Sequence, residues 1–297
     1  MSSQAGFTTL ITVAQLQALQ ASGQALMVFD CSCDLMQPEL GAQQYAQAHI
    51  PGALYADLNT ALSAKGDPAV TGAVLGAASG GRHPLPHREV FAKWLGSVGF
   101  TPATQAVVYD RQGANYCGRL WWMLKWLGHA NVAVLDGGWQ AWIAAGGSQQ
   151  AGVVSSVAGA DYPVAHSLAD LSTVETVASR LTSGSQTLID ARGAPRYRGE
   201  MEPIDPVAGH IPGALNRPFA SNLGADGFFK SADQLRAEFL ALLGGRNPST
   251  VVHHCGSGVS AVPNVLAMEI AGLGTTALFA GSWSEWCSDP NRPVAQG

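Results

Sequence analysis

His49-Ile50-Pro51-Gly52-Ala53-Leu54 reappears unchanged as His210-Ile211-Pro212-Gly213-Ala214-Leu215, and this repetition decides how the chain is read. Upstream of each copy a short apolar run ends in aspartate, Leu26-Met27-Val28-Phe29-Asp30 and Thr187-Leu188-Ile189-Asp190, at nearly the same spacing. Such runs read as buried strands followed by a loop. Downstream, Val107-Val108-Tyr109-Asp110-Arg111 aligns with Val251-Val252-His253-His254-Cys255, and Gly138-Trp139 with Ser282-Trp283, at a shorter common spacing. The first copy is therefore longer by about seventeen residues, which fall in the Gly- and Ala-rich segment Ala61 to Pro86. Long loops in compact domains are disproportionately functional, and this one is placed to reach across a pseudo-symmetric interface toward the other copy.

Within each copy the order reads helix, short apolar strand, loop carrying the repeated hexapeptide, helix, strand, helix, strand, and a Gly/Trp turn. That alternation predicts an α/β fold in which each copy is a parallel sheet flanked by helices, related by internal duplication. Ala145 to His166 is rich in Gly, Ser, Ala and Val and breaks any period, so the expected division is residues 8–147, a linker over 148–166, and residues 167–297.

The chain has 297 residues, enough for two domains that each bury a core without metal or disulfide support. Apolar residues make up 47% and charged residues 12%, a balance opposite to that of disordered chains. Sixteen basic against twenty-one acidic side chains give a net charge of -5 with no basic run, which argues against nucleic acid as a partner. Met1 to Leu10 lacks the pattern of a signal peptide, and no apolar run reaches membrane-spanning length. Cys31, Cys33, Cys117, Cys255 and Cys287 lack paired zinc-site spacing, so reduced thiols in a cytoplasmic protein are expected, without metal or organic cofactor. Cys31-Ser32-Cys33 reads as a strand end with two small buried residues, a redox pair being the alternative.

Cys255 differs from the other four. It follows the apolar run Thr250-Val251-Val252 and precedes an amphipathic helix carrying Val262, Val265, Leu266, Ile270 and Leu273, with Gly256, Ser257, Gly258, Val259 and Ser260 between. Sheets of this kind place ligands at the carboxyl ends of their strands, where loop amides and a helix N-terminus converge. Two glycines let successive N–H groups turn inward as an anion cradle, which stabilises a thiolate and equally the outer sulfur of a persulfide. The competing reading is one more buried small residue in a glycine turn; the strand, loop and helix context favours the first. In the other copy Arg111 stands at this place, so one nucleophile per chain is expected.

These motifs, with Gly80-Gly81-Arg82-His83-Pro84-Leu85-Pro86 and Gly281-Ser282-Trp283-Ser284-Glu285-Trp286, resemble the tandem-domain rhodanese sulfurtransferases over about Leu10 to Val294, and more closely their 3-mercaptopyruvate branch. The resemblance implies two rhodanese-like domains, a degenerate N-terminal one and a catalytic C-terminal one with the substrate between them. It also implies a double displacement through a Cys255 persulfide, with a small-molecule sulfur donor and a thiophilic acceptor such as cyanide, a thiol, or thioredoxin or another thiol protein. Thiosulfate-using relatives carry basic residues after the cysteine; here Gly256 and Ser257 stand there, which suits 3-mercaptopyruvate. In that branch the loop serine works with a histidine and an aspartate. Ser257 and His83 match two of these, while the third position falls on Asn59, which cannot stabilise an imidazolium as a carboxylate would.

Arg196 matches the family arginine that holds the donor's anionic end. A second arginine often follows Glu-Pro, but Glu202-Pro203 is followed by Ile204, leaving Arg198 and Arg119 as candidates against structural ion pairs. His49 and His210 are read as braces of the repeated turn. Ser260 replaces the family's usual threonine. A phosphatase of related fold would need Arg at the place of Ala261, and a non-catalytic scaffold would have no use for an intact Cys255 loop.

Overall fold

The structure is a computed structural model that describes residues 6–65 and 77–297; the sequence-read loop Ala61 to Pro86 lies partly outside the described residues. Two five-stranded sheets are present among these residues. The first runs in the order β1 (Leu10–Ile11), β5 (Val132–Leu135), β4 (Gln105–Tyr109), β2 (Leu26–Asp30), β3 (Leu54–Tyr55). The second repeats it as β6 (Asp170–Ser172), β10 (Ala277–Phe279), β9 (Val251–His254), β7 (Thr187–Asp190), β8 (Leu215–Asn216). Every neighbouring pair is parallel, with Asp30 opposite Tyr109 in one copy and Asp190 opposite His254 in the other. The duplication and the parallel α/β architecture read from the sequence are thus present. The edge strands β1, β3, β6 and β8 were not legible, because two or three residues carry too little alternation to register as a strand.

The helices used below are α1 (Val13–Ser22), α2 (Leu40–Gln47), α3 (Arg88–Ser97), α4 (Cys117–Trp126), α5 (Gly138–Ala144), α6 (Val174–Ser179), α7 (Ala194–Tyr197), α8 (Ala232–Leu243), α9 (Val262–Ile270) and α10 (Ser282–Trp286). The repeated hexapeptide turns identically in both copies: Gly52 and Gly213 each adopt φ 78°, a left-handed conformation open to glycine. His49 stacks on Tyr45 with centroids 4.2 Å apart and donates through Nδ1 to the Tyr45 carbonyl at 2.8 Å. His210 does the same with Tyr197, at 3.8 Å and 2.8 Å. Each tyrosine hydroxyl then donates to the alanine carbonyl of its turn, Ala53 at 2.9 Å and Ala214 at 2.6 Å. The two histidines are braces, as expected.

The stretch after α5 is tied along the first copy, not loose. Gln150 and His49 exchange two backbone bonds, Gly159 N–H donates to Gly96 O, and Tyr162 N–H donates to Ala92 O. The two copies also share one core. Buried side chains around α4, including Leu120, Trp121 and Leu124, belong to the same apolar cluster as Cys255, Val259, Val262 and Leu266. A Cβ on Gly118 would lie 3.3 Å from the Val262 side chain, so α4 and α9 pack closely there. Lys125 closes the contact with a 2.5 Å ion pair to Glu269. No described helix is long and apolar enough to cross a membrane.

Candidate active site

At the carboxyl end of β9 the chain leaves the sheet through Cys255 to Ala261 and enters α9. Cys255 is 2% exposed and lines a cavity of about 120 Å3 together with Gly256, Ser257, Val259, Ser260, Arg82, Arg192, Arg196 and Leu35. Gly258 adopts φ 74°, and a Cβ there would sit 2.0 Å from the Ala280 carbonyl, so only glycine lets the loop close. Among the described residues the N–H groups of Gly256, Ser257, Gly258, Val259, Ser260 and Ala261 donate to no protein acceptor. The loop therefore offers the anion cradle that the two glycines predict.

A side chain the sequence reading did not single out holds the base of this loop. Ser282 lies in the left-handed region at φ 55°, is fully buried, and accepts the Cys255 N–H at 3.1 Å while donating to the Phe279 carbonyl at 2.9 Å. A non-glycine residue in that conformation costs roughly 1–2 kcal/mol, and here it orients the backbone of the cysteine. The signal was its alignment with Gly138, which has φ 56° in the other copy.

The loop of the first copy does cross the interface. Gly80 N–H donates to Glu285 Oε1 at 2.9 Å, Arg82 N–H donates to Ser284 Oγ at 2.9 Å, and His83 Nδ1 lies 2.7 Å from Ser257 Oγ. His83 and Ser257, separated by most of the chain, thus meet as the resemblance implied. Burial, with the nearby Lys65, Arg119 and Arg82 cations, lowers the His83 imidazole to about 3, so it is neutral at physiological pH.

Asn59 does not complete this pair. Its Oδ1 accepts from Lys65 Nζ at 3.1 Å and its N–H donates to Asp57, so the third member of a relay is replaced by a local turn and a cation.

Arg196, at 19% side-chain exposure, stands over the cavity and is gripped by Glu202 through Nη2 (2.6 Å) and Nε (3.1 Å). Burial works against the Glu202 charge, but the hydrogen bonds and charge of Arg196, together with the N–H groups of Asp205 and Ile204, outweigh it and hold that carboxyl below its ordinary value. The two substitutes named for a second arginine do not act as one. Arg198 pairs with Glu200 on the surface. Arg119 is fully buried and forms no ion pair among the described residues: it donates to the carbonyls of Gly258 (3.0 Å), His83 (3.2 Å) and Leu62 (3.3 Å), stitching the cysteine loop to the crossing loop. Burial pulls Arg119 down to about 10, opposed by attraction to Cys255. Two other guanidinium groups line the cavity beside Arg196: Arg192, which is held by Asp190 and the Gly209 carbonyl, and Arg82, which the sequence shows only as part of a loop motif.

The other four cysteines keep their bland reading. All five are unpaired, and burial raises the thiols of Cys31 and Cys117 well above the ordinary value, Cys33 to about 12, and Cys287 upward as well.

Two copies of one fold, with a cysteine loop at the strand ends of the second, are the plan of a tandem sulfurtransferase. Residues 12–145 and 173–289 each match the family described as "Rhodanese-like domain", and the chain belongs to that family. It is 45% identical over 292 residues to the "Probable 3-mercaptopyruvate sulfurtransferase" of Pseudomonas aeruginosa, covering 97% of this chain and 98% of the other. It is 33% identical over 282 residues to the thiosulfate sulfurtransferase of Bos taurus, covering 93% and 90%. Among solved structures, the 3-mercaptopyruvate sulfurtransferase from Leishmania major superposes with a TM-score of 0.80 at 30% identity, over 96% of this chain and 75% of that one. The protein is accordingly a transferase of sulfur, with a donor and an acceptor as substrates.

Proposed function

We propose that this sulfurtransferase takes sulfur from 3-mercaptopyruvate and carries it as a persulfide on Cys255. The observation that carries the reading is the convergence of Cys255, the Ser257–His83 pair and the Arg196 guanidinium on one cavity. In the first half-reaction the Cys255 thiolate attacks the donor sulfur; an S–S bond forms as the S–C bond breaks, and the electron pair passes to the enolate of pyruvate. The Ser257 hydroxyl is suited to hydrogen-bond that oxygen, with neutral His83 fixing its orientation. His83 held near 3 favours this positioning role over an imidazolium relay, consistent with Asn59 standing where a carboxylate would be. In the second half-reaction a nucleophilic acceptor attacks the outer sulfur and releases the Cys255 thiolate. A thiol protein such as thioredoxin is an acceptor of suitable chemistry, and the unpaired thiols suit a reducing compartment such as the cytoplasm. Functional units over residues 8–147 and 167–297, joined by 148–166, fit this division of labour.

Charge balance supports the donor. Arg82, Arg196 and Arg192, the cations that line the cavity, are matched by Asp205, Glu202 and Asp190, so its lining offers directed N–H groups balanced in charge, while buried Arg119 behind the loop is turned to carbonyls. The segment Gly256 to Ala261 adds no cation. A monocarboxylate is better served by this than dianionic thiosulfate. The test is thiocyanate formation from cyanide with each donor, for the wild type and Cys255→Ala. A wild type that prefers 3-mercaptopyruvate and an inactive variant are expected. A preference for thiosulfate overturns the donor, and activity persisting in Cys255→Ala overturns the site.

A further inference from the structure

We infer that Arg82, delivered by the N-terminal half, is the second arm of the clamp on the donor's anionic end, so that each half of the molecule supplies one guanidinium to the donor. The inference rests on the reading of Cys255 as the sulfur carrier and adds a residue to it. The place where a side chain on Gly256 would begin lies 3.1 Å from Arg82 Nη2, 3.5 Å from Arg196 Nη1 and 3.6 Å from Arg196 Nη2, so both guanidinium groups face the first residue after the cysteine. Asp205 holds the two in register. Its Oδ1 accepts from Arg82 Nη1, and its Oδ2 accepts from Arg196 Nη2 at 3.1 Å.

That arrangement turns the remaining nitrogens toward the cavity. Among the described residues, Arg82 Nη2 and Arg196 Nη1 donate to no acceptor. Two N–H donors from two separate planes, beside a cysteine, match the two oxygens of one carboxylate. Placement also matters: the Arg82 side chain is only 23% exposed, and its backbone is pinned by Ser284 Oγ, so little rotamer freedom remains to be lost on binding. On the other side of Arg82 the neighbouring cavity is lined by Leu35, Met36 and Ile204 and by Lys65, whose ammonium is held by Asn59 Oδ1 at 3.1 Å. Donor binding therefore depends on the halves being in contact.

The alternative is that Arg82 only fastens the halves together through Asp205. Steady-state kinetics of sulfur transfer to cyanide from 3-mercaptopyruvate separate the two roles in the full-length chain. Arg82→Gln is expected to raise KM for the donor roughly 10- to 100-fold, as loss of a charged hydrogen bond does, with kcat changed less than about threefold. Arg82→Lys, which keeps the charge and the bond to Asp205 but loses the fork, should fall between. Glu285→Ala removes another bond that fastens the crossing loop, the one from Gly80 N–H, and touches neither guanidinium, so it should leave KM within about twofold. A rise in KM for Glu285→Ala equal to that of Arg82→Gln overturns the inference in favour of a fastening role. So does an unchanged KM in Arg82→Gln, or in Arg82→Lys if the glutamine variant does not fold. Absence of transfer in the wild type would instead condemn the proposed function, which keeps the two failures distinct.

Discussion

The loop that follows β4 and the loop that follows β9 have the same place in the fold and are filled differently. In the first, the Asp110 carboxylate accepts the N–H groups of Gln112 (2.9 Å), Ala114 (3.0 Å), Tyr116 (2.8 Å) and Cys117 (2.9 Å). Burial raises the Asp110 carboxyl, and these four bonds offset part of the rise. In the second, His254 stands at the aligned position, its ring nitrogens are buried without hydrogen-bond partners among the described residues, and the loop amides are left to the cavity beside Cys255. The first copy thus shows that this backbone path cradles an anion, and that a resident carboxylate closes the cradle.

A second exchange accompanies the first. In the N-terminal copy Arg111, aligned with Cys255, bonds Asp30 Oδ2 at 2.8 Å and the Ala48 carbonyl, and stacks on Trp139 at 4.6 Å. In the C-terminal copy the same three partners recur as Asp190 (2.7 Å), the Gly209 carbonyl (2.7 Å) and Trp283 (4.8 Å), but the guanidinium comes from Arg192. Ser32 stands where Arg192 would be, with the same backbone bond to its aspartate at 2.9 Å, and its hydroxyl accepts from Arg111 at 2.6 Å. A buried aspartate needs a cation, and whichever position supplies it decides whether the position after the strand can be a cysteine.

The comparison can be broken at four points. The largest effect is expected from His254→Asp, which carries the resident carboxylate into the second copy: thiocyanate formation should fall roughly 1000-fold with the fold retained, since even one lost donor to an active-site anion costs about 100- to 1000-fold. A rate near wild type would mean the loops are not equivalent. Arg111→Ala leaves Asp30 buried and unpaired and should cost about 3–5 kcal/mol in denaturant unfolding; adding Ser32→Arg should recover a large part, and no recovery would separate the two sockets. Asp110→Ala strands four amides, with an expected loss of about 3 kcal/mol and a rise of the unfolding midpoint with sulfate steeper than that of the wild type. The smallest effect concerns the bridge between the halves. Because folding lowers His83 from about 6.5 to about 3, the unfolded chain binds a proton the folded one refuses, and stability should fall as pH drops through that window, on the order of 1 kcal/mol per pH unit. His83→Gln should flatten that slope, and an unaltered slope would place the acid sensitivity elsewhere, with buried His253 the next group to examine.

Legibility followed the range of the interactions. The hexapeptide repeat, the strands ending in Asp30 and Asp190, and the Cys255 loop were visible because each is a contiguous pattern whose periodicity or turn chemistry acts between neighbours in the chain. Ser257 and His83 could be paired only through family resemblance, and Asn59 shows the limit of that transfer: it falls at the third position of the relay without the carboxylate, and its side chain bonds Lys65. Arg82 stands in a loop motif that gives no hint of its place at the cavity, whereas Arg119 and Arg198, the clamp candidates by position, serve elsewhere. Nothing in a linear string says which of several arginines will face a cavity.

By itself the sequence determined the duplication, the parallel α/β class, the single cysteine loop and the family, all of which depend on local pattern and on repetition along one chain. Only the tertiary structure decided which anions and cations meet: Asp110 in one loop, Arg192 in place of Arg111, and Arg82 beside Arg196 through Asp205. Such pairings bring together groups far apart in sequence, and their geometry is set by how two sheets pack around α4 and α9, a property of the closed core and not of any segment.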